Sequence, residues 1–268
     1  MFPPMQLDSI GLQTDLIFWR YGGRVHDRGE YLMVETPRNR GWHFGNLLVF
    51  GHPPREGDHE RWPALFRREF EHAPEVRHMV FNWRADGDRL GLIEPFVAAG
   101  FRLEVNPILG ASALHPPPRP NDELEIRPID TDDAWAEVLE SHVRHRDAVY
   151  EEGPYRRFIG RRFDDYRRLV EEGRGAWYGA FVGDRLVSDC GLFREGDTGR
   201  YQYVLTHPDY RRRGVAGTLV HRVGDAALRA GLVRRLVISA ADKTVARIYA
   251  SVGFESVERC AALILAPK

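Results

Sequence analysis

The sequence predicts an α+β fold in two domains, each with a mixed, mainly antiparallel sheet flanked by helices. Three observations lead to this prediction: a proline-rich segment near the middle, an ordered series of helix and strand patterns after it, and short stretches of the first half that recur in the second. At 268 residues the chain also exceeds the usual size of a single domain.

The boundary between the domains is the proline-rich segment. His115 is followed by Pro-Pro-Pro-Arg-Pro-Asn-Asp, and prolines at this density cannot continue a helix or an interior strand. We therefore predict a first domain over residues 1–115, an extended connector over 116–122 and a second domain over 123–268.

The second domain alternates between strand and helix patterns. Residues 124–129 alternate as an opening strand does, Thr131 or Asp132 caps a helix, and a second helix follows from about Tyr155. Three strands come next, separated by glycine turns: residues 176–182, 186–193 and 199–206. A helix over 216–230, a strand over 235–239, a helix over 244–252 and a strand over 254–265 complete the order βααβββαβαβ.

Composition and charge exclude several classes of protein. Hydrophobic residues make up 43% of the chain and charged residues 29%, which suits a globular protein. A net charge of -1 gives no basic field of the kind that nucleic acids or anionic membranes attract, so neither is expected as a partner. Cys190 and Cys260 lie in apolar stretches, which indicates buried thiols rather than a disulfide framework.

Location is predicted from the same features. Buried thiols favour the reducing cytoplasm. The opening residues Met-Phe-Pro-Pro-Met lack a basic region followed by an apolar stretch, so no signal peptide is predicted. No apolar run approaches membrane-spanning length. We therefore expect a soluble cytoplasmic protein. The sequence does not predict its oligomeric state.

The most informative stretch runs over residues 204–218. A strand pattern ends, three arginines and a glycine form a loop, and an amphipathic helix begins. Unpaired N–H groups at a helix start bind anions together with the helix dipole. Gly214 lets a phosphate approach the backbone, and arginines add charge-assisted contacts. A Walker nucleotide-binding loop is excluded, because no Lys-Ser/Thr pair follows the glycines. The sequence also contains no GxGxxG motif of the dinucleotide-binding kind.

Two stretches resemble the motifs of the GNAT acyltransferase superfamily. Arg211, Gly214 and Ala216, following a strand, are similar to its pyrophosphate-binding loop. The run from Asp242 to Phe254 is similar to its second motif, with Tyr249 seven positions after a polar residue. The resemblance covers about residues 124–254. It implies two GNAT-like domains, acetyl-CoA as the acyl donor and a primary amine as the acceptor.

The resemblance also implies a role for each matching residue. Main-chain groups of Val204, Leu205 and Thr206 would contact the acetyl carbonyl and the pantetheine arm. Asp242 would bind the pantetheine or the adenosine, although the superfamily more often has Asn there and a carboxylate lacks the amide's donor. The pyrophosphate would be held by the loop and the helix start, that is by Arg211, Arg212, Arg213, Gly214, Val215, Ala216, Gly217 and Thr218. No metal site is assigned.

Tyr249 is the candidate catalytic residue. The resemblance implies that it protonates the departing CoA thiolate, or hydrogen-bonds to it, while a neutral amine attacks the thioester directly. The spacing of Val245, Ile248, Tyr249 and Val252 on one helical face equally fits a core aromatic residue.

The acceptor side is less defined. The superfamily usually places its acceptor site between the first two helices, here about residues 144–154. Four candidates for a general base lie at the end of the first helix or between the two helices: His142, His145, Glu151 and Glu152. They belong either to a solvated charged loop or to an acceptor site, in which residues 144–154 form a lid whose acidic residues attract an ammonium group. No general base is assigned. Two other hypotheses stay open: an acyl-CoA-binding sensor or interaction module without turnover, and a structural protein whose two motifs are coincidental.

The first half carries an echo of the second. Residues 46–53 resemble 203–208, both running from a strand into His-Pro, and residues 96–101 resemble 249–254, both ending in Gly-Phe. The loop after Pro53 contains Glu56 and Asp58, which would repel a pyrophosphate, and Phe96 stands where Tyr249 stands. We therefore predict a tandem GNAT arrangement whose first copy has lost the chemistry and serves to pack and to shape the acceptor cleft.

Overall fold

The computed structural model describes residues 5–85 and 87–266 of the chain. Clustering of contacts between Cα atoms divides the chain into two compact units, Met1–Ile108 with Val257–Lys268, and Leu109–Ser256. Each unit is an α+β domain with a mixed, mainly antiparallel sheet, as predicted. The first four residues, on which the signal-peptide prediction largely rests, lie outside the described residues.

The helices and strands are as follows, in chain order. The first half contains α1 (Ile10–Gly22), β1 (Arg24–Asp27), β2 (Tyr31–Glu35), β3 (Leu47–Phe50), α2 (Asp58–Glu69), β4 (Met79–Arg84), α3 (Glu94–Ala98) and β5 (Arg102–Ala111). The second half contains β6 (Glu125–Pro128), α4 (Asp132–Arg144), α5 (Glu152–Glu171), β7 (Gly175–Val182), β8 (Arg185–Glu195), β9 (Thr198–Thr206), α6 (Val215–Arg229), β10 (Arg235–Ser239), α7 (Lys243–Ala250) and β11 (Glu255–Leu265).

The sheet of the first unit has the strand order β1-β2-β3-β4-β11-β5. β3 and β4 are parallel, whereas β1, β2 and β3 form an antiparallel series and β4 pairs antiparallel with β11. Its core is rich in aromatic side chains that are almost completely buried, namely Phe50, Trp62, Phe66, Phe81, Trp83 and Phe96.

The sheet of the second unit has the strand order β10-β9-β8-β7-β6. β6 to β9 form an antiparallel meander, and β9 pairs with β10 in parallel after the crossover through α6. Side chains alternate across the strands: Trp177 of β7 packs with the aromatic residues of α4 and α5, while Tyr178 packs with the cluster that includes α6.

The order βααβββαβαβ after the connector is confirmed, and β10 has the predicted bounds. Thr131 caps α4 by accepting a hydrogen bond from the N–H of Ala134. α5 begins at Glu152 rather than near Tyr155, because Pro154 lies in the first helical turn, where a proline is tolerated. None of the described helices is long and apolar enough to cross a membrane. Cys190 and Cys260 are buried and are not joined in a disulfide.

One strand lies in a different unit from the one that the predicted boundaries gave it. β11 falls within the predicted second domain over 123–268, but from Val257 onward it belongs to the first compact unit. It pairs there with β4, so that Cys260 lies opposite Arg84 and Leu265 opposite Met79. The alternation of a strand predicts the strand itself, but its hydrogen-bonding partner depends on long-range packing.

Candidate active site

A groove of about 750 Å³ lies in the second unit beside β9, α6 and α7. The two motifs of the sequence meet there, because most of the residues that the resemblance singled out line this one cavity. They are Val204, Leu205, Thr206, Arg211, Arg212, Gly214, Val215, Ala216, Gly217 and Tyr249.

The groove opens where β9 and β10 stop pairing. Their parallel register joins Thr198, Gly199 and Arg200 of β9 to residues 235–237 of β10, and residues 201–206 of β9 continue beyond it. In an antiparallel pair, alternate residues point their N–H and C=O groups away from the partner strand. Residues 201–206, the far part of β9, therefore present main-chain hydrogen-bonding groups on the edge that faces away from β8.

A β-bulge interrupts β9 in the same region. Tyr203 has a φ of 49°, in the left-handed region that non-glycine residues rarely adopt. The register with β8 shifts there, since Asp189 lies opposite Leu205 while Gly191 lies opposite Gln202. Because a bulge leaves a residue out of the ladder and re-aims its neighbours, it changes the direction of the main-chain groups next to Val204.

The start of α6 forms the second side of the groove. Gly214 is its N-cap, with a φ of 74°, and no side chain among the described residues caps this helix. The N–H groups of Val215, Ala216 and Gly217 have no acceptor within the helix. Arg212 also has a positive φ, of 62°, and backbone of this kind brings successive N–H groups together around an anion. The loop over residues 211–214, the arginine loop, thus combines unpaired N–H groups with positive charge, a combination that favours anions.

Three of the predicted cofactor residues lie outside the groove lining, and each has a partner within the protein. Thr218 is buried, and its Oγ1 accepts a hydrogen bond from the main-chain N–H of Asn121 at 2.9 Å. The Arg213 guanidinium lies over the ring of Tyr210, 5.1 Å from its centroid. Their predicted contacts with the cofactor stay predictions.

Asp242, the third of these residues, caps α7. Its Oδ1 accepts hydrogen bonds from the N–H groups of Thr244 at 2.6 Å and Val245 at 2.8 Å. An N-cap needs only an acceptor, so a carboxylate serves at this position as well as an amide does. This explains why Asp is suitable here independently of any ligand.

Tyr249 is both a core residue and part of the groove wall. Its side chain is only 4% exposed and packs in the main cluster of the unit, yet it lines the groove. Its hydroxyl forms no hydrogen bond to any residue in the described part of the chain. Burial, and to a lesser extent the nearby Cys190, raise the pKa of Tyr249 above its usual value, so the phenol keeps its proton at neutral pH.

The connector forms part of the groove, a contact that no pattern in the sequence indicated. Pro117, Pro118 and Arg119 all line it. A Cβ added to Gly214 would lie 2.1 Å from the carbonyl oxygen of Arg119. Glycine is therefore required at position 214 by the connector and by its positive φ, in addition to any phosphate. The two segments are far apart in sequence, so no local pattern shows this contact.

The residues considered for the acceptor side have different environments. His142 is buried, and its Nε2 lies 2.8 Å from Oδ1 of Asp189, which also accepts a hydrogen bond from the indole N–H of Trp177 at 3.0 Å. The interpretation as a solvated loop is therefore wrong for His142. Glu152 is exposed and forms ion pairs with surface arginines, one of them Arg156. A carboxylate within an otherwise apolar strand, at Asp189, is the signal that could have revealed the buried pair.

His145 lies nearer the end of β9. Its ring centroid is 4.6 Å from that of His207, which directly follows β9. Partial burial, then the charge of His207, lower the pKa of His145 below its usual value, so its imidazole is neutral at pH 7. Glu151 is exposed and precedes α5 without capping it through its side chain.

In the first unit the equivalent opening is closed. The parallel pairing of β3 and β4 continues to Phe50, the last residue of β3, which lies opposite Trp83, one residue before the end of β4. Trp62 stacks on Phe50 with ring centroids 3.8 Å apart and planes at 5°. Phe96, the counterpart of Tyr249, is fully buried beside Trp62 and Phe81. Aromatic rings thus pack against the ends of these strands.

The loop of the first unit has its own internal anion. Oδ2 of Asp58 accepts a hydrogen bond from the N–H of Arg55 at 2.8 Å, and Oδ1 lies 3.3 Å from the guanidinium of Arg61. A pocket of about 300 Å³ lies beyond β3 and β4, but Arg84 in its wall is paired with Asp8 and Glu258. Among its described residues, the first unit therefore shows neither an opening between β3 and β4 nor a loop like that of residues 211–214.

Comparisons with known proteins agree with this geometry. Residues 173–256 match the family described as acetyltransferase (GNAT) domain. The matched stretch includes β7 to β10 and both sides of the groove. A search of curated proteins finds no match.

Solved structures extend the GNAT fold to nearly the whole chain. A GCN5-related N-acetyltransferase from Kribbella flavida matches with a TM-score of 0.67 and 13% identity over 98% of each chain. One from Sphaerobacter thermophilus matches with a TM-score of 0.59 and 18% identity, over 97% of this chain and 88% of that chain. A tandem GNAT protein from the clavulanic acid biosynthesis pathway matches with a TM-score of 0.52 and 16% identity, over 83% and 76%.

The likeness to these structures thus confirms the predicted fold of two GNAT-like domains. The GNAT domain supports acyl transfer as the class of activity.

Proposed function

We propose that the chain transfers an acetyl group from acetyl-CoA to a primary amine by direct attack. The observation that supports this most strongly is the single groove lined by the arginine loop, the free edge of β9 and Tyr249. A thioester with a phosphate-bearing handle needs an anion site, main-chain hydrogen-bonding groups and an acid near the leaving sulfur.

The donor would lie along this groove. The uncapped start of α6 and Arg211 and Arg212 bind the pyrophosphate, since both backbone N–H groups and guanidinium groups favour it. The pantetheine arm follows the far part of β9, whose free main-chain groups can pair with its amides. The bulge at Tyr203 turns the main-chain N–H near Val204 toward the thioester carbonyl.

In the reaction, a neutral amine attacks the thioester carbon, a C–N bond forms and the carbonyl oxygen gains negative charge. Main-chain donors on β9 stabilise that charge. The C–S bond then breaks, and the phenol of Tyr249 gives its proton to the departing sulfur. The nitrogen loses its extra proton to solvent, and the phenol is reprotonated in turn. Because burial keeps Tyr249 protonated, the acid is available at neutral pH.

The experiment is a screen of the full chain with acetyl-CoA and a panel of primary amines that includes amino acids, polyamines, aminoglycosides and short peptides. Release of the CoA thiol is followed by a colour reagent, and the acetylated product by mass spectrometry. We expect thiol release that depends on one class of amine and saturates with acetyl-CoA.

Two results would contradict the proposal. If the chain binds acetyl-CoA but acetylates no amine in the panel, a donor-binding module without turnover becomes the better explanation. If acetyl-CoA does not bind, the assignment of the donor is wrong.

A further inference from the structure

The proline-rich connector forms a wall of the groove for which the proposed function has no role. Pro117 is buried against α6, and a Cβ added to Gly217 would lie 3.4 Å from the Cβ of Pro117. Two residues further along, the carbonyl oxygen of Arg119 would lie 2.1 Å from a Cβ added to Gly214. Both glycines of the loop therefore lie directly under the connector.

The connector is fastened to the start of α6. The main-chain N–H of Asn121 donates to Oγ1 of Thr218 at 2.9 Å, and its side-chain amide donates to the carbonyl of Arg213 at 3.0 Å. Just beyond, the guanidinium of Arg222 donates to the carbonyl of Leu124 at 3.0 Å. Prolines restrict the backbone between these points. The position of Arg119 beside the loop is therefore set by the fold.

The charge around this part of the groove is unbalanced. Within the described residues, the guanidinium groups of Arg119, Arg211, Arg212 and Arg213 form no ion pair with a carboxylate. Several surface arginines elsewhere in the same unit are paired with carboxylates, as Arg167 is with Asp132 and Glu171, and Arg156 with Glu140 and Glu152. Like charges held together without counter-charges favour a bound anion.

We propose that Arg119 binds a phosphate group of coenzyme A, so that the connector and the α6 loop hold the phosphate end of the donor between them. The proposal rests on the proposed function. A guanidinium group matches phosphate geometry with two parallel hydrogen bonds. Coenzyme A carries both a pyrophosphate and a 3′-phosphate, and either one offers this chemistry.

The test is calorimetric titration of acetyl-CoA and of its analogue without the 3′-phosphate into four full-length proteins. These are the native chain, Arg119→Ala, Arg119→Lys and Arg234→Ala. Arg234 is exposed and is not in the groove lining, so its variant controls for net charge. We expect Arg119→Ala to weaken acetyl-CoA binding by about three- to tenfold, the range for a solvent-accessible charge-assisted contact. Arg119→Lys should lose less, and Arg234→Ala should bind normally.

The two ligands distinguish the phosphates. A loss limited to acetyl-CoA assigns Arg119 to the 3′-phosphate, and an equal loss with both ligands assigns it to the pyrophosphate. The proposal is overturned if Arg119→Ala binds acetyl-CoA as the native chain does, or if Arg234→Ala loses as much. Failure of the native chain to bind acetyl-CoA would contradict the proposed function itself. Thermal unfolding of each variant verifies that it is folded.

Discussion

Replacing Tyr249 with Phe should separate catalysis from stability. The change removes one hydroxyl group and keeps the buried ring, so it creates no cavity and breaks no hydrogen bond to a described residue. The free energy of unfolding should therefore change by less than about 0.5 kcal/mol. Loss of a positioned acid typically costs about 10²–10⁴-fold in rate, or about 3–5 kcal/mol in the barrier.

Tyr201→Phe is the matched control. Tyr201 is buried in the same cluster, and its hydroxyl donates to the main-chain carbonyl of Val220 at 2.6 Å. Loss of that hydrogen bond should cost about 1 kcal/mol of stability and leave turnover nearly unchanged. The two tyrosine variants should thus show opposite patterns, one losing rate and the other losing stability.

The assay is single-turnover acetylation of the preferred amine, together with urea unfolding and acetyl-CoA titration of both variants. Acetyl-CoA affinity should hardly change in Tyr249→Phe, because the hydroxyl acts as the sulfur leaves. The pH profile adds a check. Burial raises the pKa of Tyr249, so its protonated form persists and its ionisation should cause no fall in rate between about pH 6 and pH 9. Full turnover of Tyr249→Phe where chemistry limits the rate would make Tyr249 a packing residue only.

Two further predictions concern the first unit. Titration of the full chain should give one acetyl-CoA per chain, because β3 stays paired with β4 to its last residue; a stoichiometry near two would show that the first copy is a working site. Burial would raise the pKa of Glu35, but hydrogen bonds with His72, Arg40 and His26 lower it to about 2. Because the folded pKa is depressed, the stabilisation is present above about pH 4.5 and is lost as the pH falls toward 2, at most about 3 kcal/mol. Glu35→Gln should lack this part of the acid-unfolding profile, and an unchanged profile would contradict the assignment.

Local patterns predicted the elements of the second half well. In β7 to β9 successive side chains point to opposite faces of the sheet, and in α6 the buried side chains recur every three to four residues. The same patterns are present in the sequence, so these elements could be predicted. The two motifs also predicted most of the groove lining through the resemblance. A loop that directly follows a strand could be located from the local sequence, whereas a residue whose contact partner lies far away in the sequence could not.

What the sequence did not predict depends on contacts between distant segments. The approach of Arg119 to Gly214, the burial of His142 against Asp189 and the pairing of β11 with β4 each join residues that no local period relates. His142 illustrates the difficulty. It follows charged and polar residues near the end of a helix, where solvent exposure is the usual expectation, and only the fold brings a buried carboxylate to it.

The place of β11 in the first unit has a consequence for how the chain is made. β11 lies between β4 and β5 in the sheet, yet it follows all the other described strands in sequence and is therefore synthesised after them. Until then β4 lacks its antiparallel partner and presents an unpaired edge, which is a site for mispairing with other chains. All residues of the second unit, Leu109–Ser256, are translated before that point. The sheet of the first unit therefore cannot be completed until a strand that follows the second unit in sequence has been made.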